Sequence, residues 1–154
     1  MALLSDELAA TIPDGREHPK TFNQFVFLWN REQGRTTPEL HRRIAQWLDR
    51  QRKAANRRLL LMVFRDAGKS TLVGLFCAWL LRENPNLRIL VLSAEQHLAS
   101  KMTRNVRRIV EAHPATRHLR PGRPELWAAD QLTVEREQTL RDPSLLARGI
   151  GGNI

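Results

Sequence analysis

From Thr21 to Ala112 the apolar residues fall into alternating helical and strand-like patterns. Phe22, Phe25, Val26 and Trp29 recur at the spacing of one helix face and predict a short helix. A second helix is announced by Thr37 as N-cap and Pro38 at the first helical position, with Leu40, Ile44, Trp47 and Leu48 on one side. Its other side and its continuation are basic: Arg42, Arg43, Arg50, Arg52, Lys53, Arg57 and Arg58. Leu59 to Phe64 is a continuous apolar run bounded by charge, which predicts a strand buried on both faces, as in a parallel sheet. Gly68 opens a helix whose body, TLVGLFCAWLL, is apolar nearly all round and has to pack between other elements; it ends at Arg82-Glu83-Asn84-Pro85. Arg88 to Leu92 reads as a second buried strand closed by Ser93. Ser93 and Gln96 have the spacing of a capping box, and Leu98, Ala99, Met102, Val106, Ile109 and Val110 trace one stripe of the next helix, opposite Lys101, Arg104, Arg107 and Arg108. Strand, helix, strand, helix predicts an α/β fold with a parallel sheet, helices on its faces and right-handed crossovers.

Around this core the pattern is weaker. Residues 1–20 show no period, and Pro13, Gly15 and Pro19 interrupt any helix, so they read as a loose arm. Residues 21–57 form a helical lead-in, and residues 58–154 the α/β core. Late in the chain Trp127, Leu132, Val134 and Leu140 alternate as the strands of a β-hairpin would. A length of 154 residues allows one modest domain with a real core, and 42% apolar content suits a globular chain. Cys77, the single cysteine, excludes an internal disulfide and reads as a buried, inert thiol. The longest apolar stretch, Leu72 to Leu81, is far short of the roughly 20 residues of a membrane span. The opening MALLSDELAATIPDG has acids and no early basic cluster, unlike a secretory signal. The chain therefore reads as a soluble intracellular protein with no membrane partner.

Charge narrows the choice of partner. The 25 basic and 16 acidic residues give a formal +9, and only Lys20, Lys53, Lys69 and Lys101 among the bases are lysines. Arginine's planar fork matches phosphate oxygens in pairs, so this bias suits a polyphosphate or nucleic acid. A preference for arginine codons, with many side chains merely solvating the surface, explains part of the same bias.

The chemistry sits in VFRDAGKST, residues 63–71. A phosphate-binding loop, G-x-x-x-x-G-K-[ST], supplies backbone N–H groups at a helix N-terminus, a lysine for the β- and γ-phosphates and a hydroxyl for Mg²⁺. Gly68, Lys69 and Ser70 provide these parts, directly after a predicted strand and at the start of a predicted helix. Val63 stands where the pattern opens with glycine. Arg65 adds a cation inside the loop.

This arrangement, an arginine in the loop and no opening glycine, resembles the ATPase domain of large terminase subunits, the DNA-packaging motors of tailed bacteriophages. RRLLLMVFRDAGKSTL, WLLRENPNLRILVLSAEQHLASKM, IVEAHP, ELWAADQLTVER and DPSLLARGIGGNI follow that family's order of segments over roughly residues 37–154. The resemblance implies a P-loop NTPase with a Rossmann-like sheet and a hairpin insertion. It gives Arg65, Asp66, Ala67, Gly68, Lys69, Ser70 and Thr71 to the nucleotide, with Lys69 and Arg65 catalytic and Ser70 on the Mg²⁺ of bound ATP. Residues 21–57 become the adenine-side lead-in, without a named adenine contact, and Ser93 and Glu95 match the motif after the second strand. Implied partners are double-stranded DNA, a portal protein, a small terminase subunit and further copies in a ring, in the host-cell cytoplasm.

The chain departs from that pattern in its acids. A motor of this class needs a strand ending in an aspartate for Mg²⁺ and a glutamate to activate water. The nearest match, Leu126-Trp127-Ala128-Ala129-Asp130, is followed by Gln131 and reads better as hairpin. The chain is thus expected to be the front half of a motor, without the Walker B strand or the nuclease domain, binding ATP but not turning it over. Arg117, Arg120, Arg123, Arg136 and Arg148 are possible donors of a trans-acting arginine. His18, His41, His97, His113 and His118 show no metal-ligand spacing with Cys77. Two other classes stay open: a helicase-like or AAA-type ATPase, and a non-catalytic basic module that binds nucleic acid.

Overall fold

A computed structural model of the chain describes residues 18–56, 58–123 and 127–151. Most of the expected arm, together with Arg57 and Leu126, lies outside the described residues. Contacts divide the chain into two units, one ending at Leu72 and the other beginning at Val73.

In the first unit α1 (Phe22–Glu32) packs against α2 (Glu39–Lys53). The predicted stripe of α1 is its core: Phe22, Phe25 and Val26 are fully buried, and the two phenyl rings stack with centroids 6.5 Å apart. The Thr21 hydroxyl caps α1 by accepting the Gln24 N–H at 3.2 Å, and the buried Asp49 carboxylate accepts the Phe22 N–H at 3.3 Å. Acceptors at this end satisfy amides that have no partner within the helix. Gly34, at φ +65°, terminates the turn after α1, its N–H reaching the Arg31 carbonyl at 2.9 Å. The start of α2 differs from expectation by one residue. Pro38 is the N-cap rather than the first helical residue, and the Thr37 hydroxyl accepts from the Asn30 side-chain amide at 3.1 Å.

The larger correction concerns Leu59 to Phe64. This run has no regular secondary structure and belongs to no ladder among the described residues. Leu60, Met62 and Phe64 are 78%, 82% and 70% exposed, while Leu61 and Val63 are half-buried. A run this apolar is buried on both faces only when strands flank it and helices cover it. The sheet of this protein contains other strands, so the run keeps a period of two in exposure without pairing.

That sheet lies in the second unit, with α3 (Lys69–Glu83) entering it at Val73. Strand β1 (Ile89–Ser93) is followed by α4 (Gln96–Ala112) and a short 3₁₀ turn at Pro114–Leu119, then by β2 (Gln131–Leu132) and β3 (Leu145–Gly149). The order is β1-β3-β2. β1 and β3 are parallel, in register from Ile89 opposite Leu145 to Ser93 opposite Gly149, whereas β2 joins β3 antiparallel. The fold is therefore α/β with a small mixed sheet, not a purely parallel one. Helix α4 packs on the sheet through Ala99, Val106, Ile109 and Val110, all fully buried. Leu145 and Ala147 are buried in the same core. β1 is covered on one face only: Leu90 and Leu92 are each 58% exposed, against the prediction of burial on both sides. The expected hairpin shrinks to a bridge between Trp127 and Leu132 plus the two residues of β2, with Leu140 outside any strand.

Candidate functional site

The loop from Arg65 to Gly68 takes its shape from two left-handed residues, Asp66 at φ +65° and Gly68 at φ +74°, on either side of the buried Ala67. A left-handed backbone is costly for any residue but glycine, so Asp66 holds a strained conformation. Helix α3 starts immediately afterwards. Its first ladder bond runs from the Leu72 N–H to the Gly68 carbonyl at 3.0 Å, so the amides of Lys69, Ser70 and Thr71 precede the ladder. Arg65, Asp66, Lys69 and Ser70 are exposed, and Thr71 is half-buried. Neither Lys69 nor Arg65 forms an ion pair with a described acid. The loop thus presents two cations and one anion at the positive end of a helix of 15 residues.

Sequence reasoning assigned no role to His41, which stands behind this loop on α2. Its Nε2 lies 2.9 Å from the Ala67 carbonyl oxygen, 26 residues away, and must carry the hydrogen because a carbonyl only accepts. The ring also abuts Gly68: a Cβ added there would sit 2.7 Å from Nε2 and 2.9 Å from Cε1. No sequence signal marks the pairing, since a lone histidine on a helix flank has no preferred partner.

Of the residues matched to the motif after the second strand, Ser93 is the last of β1 and Glu95 stands at the start of α4. Glu95 is its N-cap without a side-chain cap bond, and its carboxylate meets His97 Nδ1 at 2.9 Å. The capping box expected of Ser93 and Gln96 does not form. Gln96 Oε1 instead accepts the Gly149 N–H at 2.8 Å while its Nε2 donates to the Ala147 carbonyl at 3.3 Å. The end of β3 offers a better-placed donor than the start of the same helix. Gly149 is what permits this approach, since an added Cβ would come within 2.8 Å of the Gln96 Cα.

Asp130 is held in an ion pair with Arg148, so these two residues neutralise each other. Arg136 donates to the Leu140 and Asp142 carbonyls at 3.0 and 2.9 Å. Arg117, Arg120 and Arg123 are exposed. On the basic side of α4, Lys101, Arg104, Arg107 and Arg108 are all exposed, but Arg107 pairs with Glu111 at 3.1 Å and lies over the Trp127 ring at 5.1 Å. His113 is fully buried, its Nδ1 accepting the Ala115 N–H at 3.0 Å at the end of α4. Among the described residues no three of His, Cys, Asp and Glu gather as a metal site would require. No helix of the described residues is long and apolar enough to cross a membrane.

No family model matches the chain. A large terminase subunit of Enterobacteria phage T3 is 27% identical over 99 residues, a region that covers 64% of this chain and 17% of that protein. The chain thus has a distant, partial similarity to a large terminase subunit and spans less than a fifth of that relative's length.

Proposed function

We propose that residues 65–71 bind Mg²⁺-ATP and that the chain is the nucleotide-binding part of a phage-type DNA-packaging motor, built as a P-loop NTPase. The observation that carries this reading is the loop itself: left-handed residues at 66 and 68 feed directly into a helix that begins with Lys69 and Ser70. Phosphate oxygens suit such a site because helix-start amides, an ammonium group and a positive helix end all favour negative charge. Lys69 would meet the β- and γ-phosphates, Arg65 the same charge from the loop, and the Ser70 hydroxyl the Mg²⁺. The backbone of Asp66, Ala67 and Gly68 and the side chain of Thr71 would complete the cradle. The distant terminase similarity supports DNA packaging as the wider task; double-stranded DNA, a portal protein, a small terminase subunit and a ring of further copies are the partners that this reading proposes.

A ligand that binds only the folded protein raises its melting temperature by mass action. Thermal unfolding with and without millimolar Mg²⁺-ATP should therefore show a rise for the wild type and none for Lys69→Ala, whose ligand-free stability should be unchanged because that side chain is exposed. A wild type without a rise would refute the nucleotide reading.

A further inference from the structure

We infer that His41 is a positioning residue for this loop, holding the Ala67–Gly68 peptide in the one orientation that an anion can use. The inference rests on the reading of residues 65–71 as a phosphate loop, but its geometry stands on separate observations. A trans peptide is planar, so its carbonyl and its N–H point in opposite directions. With the Ala67 carbonyl held at 2.9 Å by His41 Nε2, the Gly68 N–H of the same plane is turned away from the imidazole. Rotating that plane by half a turn would present an oxygen where the N–H now stands, and an oxygen repels phosphate.

The loop needs such a clasp because its own conformation is not self-sustaining. Asp66 at φ +65° carries a strain that persists only where surrounding structure over-determines it. Ala67 is 8% exposed, so its carbonyl is shielded from most water and requires a protein donor. The ring then closes against Gly68, leaving no room for a side chain there. Bond, burial and packing converge on one small segment from one imidazole, and α2 fixes where that imidazole stands.

The test compares the wild-type chain with His41→Leu, which keeps apolar bulk and removes the donor, and His41→Gln, whose amide reaches the same place. Trypsin cleavage after Arg65 in the absence of nucleotide reads loop opening, and calorimetric titration reads Mg²⁺-ATP affinity. His41→Leu should cleave faster and bind ATP roughly five- to tenfold more weakly, the loss of about one hydrogen bond, and His41→Gln should recover most of both. Recovery separates positioning from mere support of the fold. If His41→Leu does not fold, His41→Asn replaces it, since its amide is one methylene short of the carbonyl. Cleavage and affinity equal to wild type in the donor-less variant overturn the inference. A wild type that binds no ATP, together with faster cleavage in His41→Leu, overturns the nucleotide reading and leaves the clasp standing; equal cleavage overturns the clasp whatever ATP does.

Discussion

Gly68 and Gly34 share a left-handed backbone and nothing else, which makes them a matched pair. Their φ values are +74° and +65°, but an added Cβ at Gly34 would meet nothing within 4 Å, whereas at Gly68 it would meet His41 Nε2 at 2.7 Å and Cε1 at 2.9 Å. Gly34→Ala therefore isolates the conformational cost of alanine in that region, roughly 1–2 kcal/mol. Gly68→Ala adds a contact that real Cβ atoms do not make, so the imidazole has to move and its bond to Ala67 breaks. Losing that bond costs about 1 kcal/mol, and an unsatisfied, shielded carbonyl raises the figure. The expected gap between the two variants is thus roughly 1–2 kcal/mol, a few degrees of melting temperature for a chain this size. Urea unfolding of Gly34→Ala, Gly68→Ala, His41→Ala and the double variant Gly68→Ala/His41→Ala completes the assay. In the double variant the clash is gone, so its cost should fall below the sum of the two single costs. Additive costs, or a Gly68→Ala no worse than Gly34→Ala, would show that the ring does not govern the loop.

Exposed Lys101 and Arg104 on α4 offer charge to a DNA backbone, so duplex binding should be independent of sequence and weaken steeply between 50 and 200 mM salt in a fluorescence anisotropy titration. Alanine at each should lower the salt slope by about one; sequence-selective binding would count against a packaging role. Burial pushes the Cys77 thiol up from 9.0 to about 11. Between those two values the unfolded chain has lost a proton that the folded protein keeps, so stability present below pH 9 should decline as pH rises towards 11. The thiol-dependent part, on the order of 2–3 kcal/mol at most, is read by comparing urea unfolding of wild type and Cys77→Ala across pH 8 to 11. Identical pH profiles would show that the thiol is accessible in the folded state.

Local patterns were enough to place the four α-helices of the described residues. The stripes at Phe22, Phe25 and Val26 and at Ala99, Val106, Ile109 and Val110 are set by a period of 3.6, which any buried helix face obeys. Gly68-Lys69-Ser70-Thr71 was legible for a similar reason, since a loop closing onto a helix start involves neighbours in sequence. Boundaries were less secure: Thr37 and Ser93 both looked like caps, but the Thr37 hydroxyl meets Asn30 and the Gln96 side chain meets the end of β3. What lies across the chain was not legible. An apolar run such as Leu59 to Phe64 states only that burial would be favourable, and whether strands flank it is decided by distant segments competing for the same edge. The exposure of Leu90 and Leu92, the pairing of β3 with β1, the grip of Gln96 on Gly149 and the imidazole behind Ala67 all join residues tens of positions apart. Contacts at that separation depend on the tertiary arrangement of whole elements, and no spacing along the chain records them.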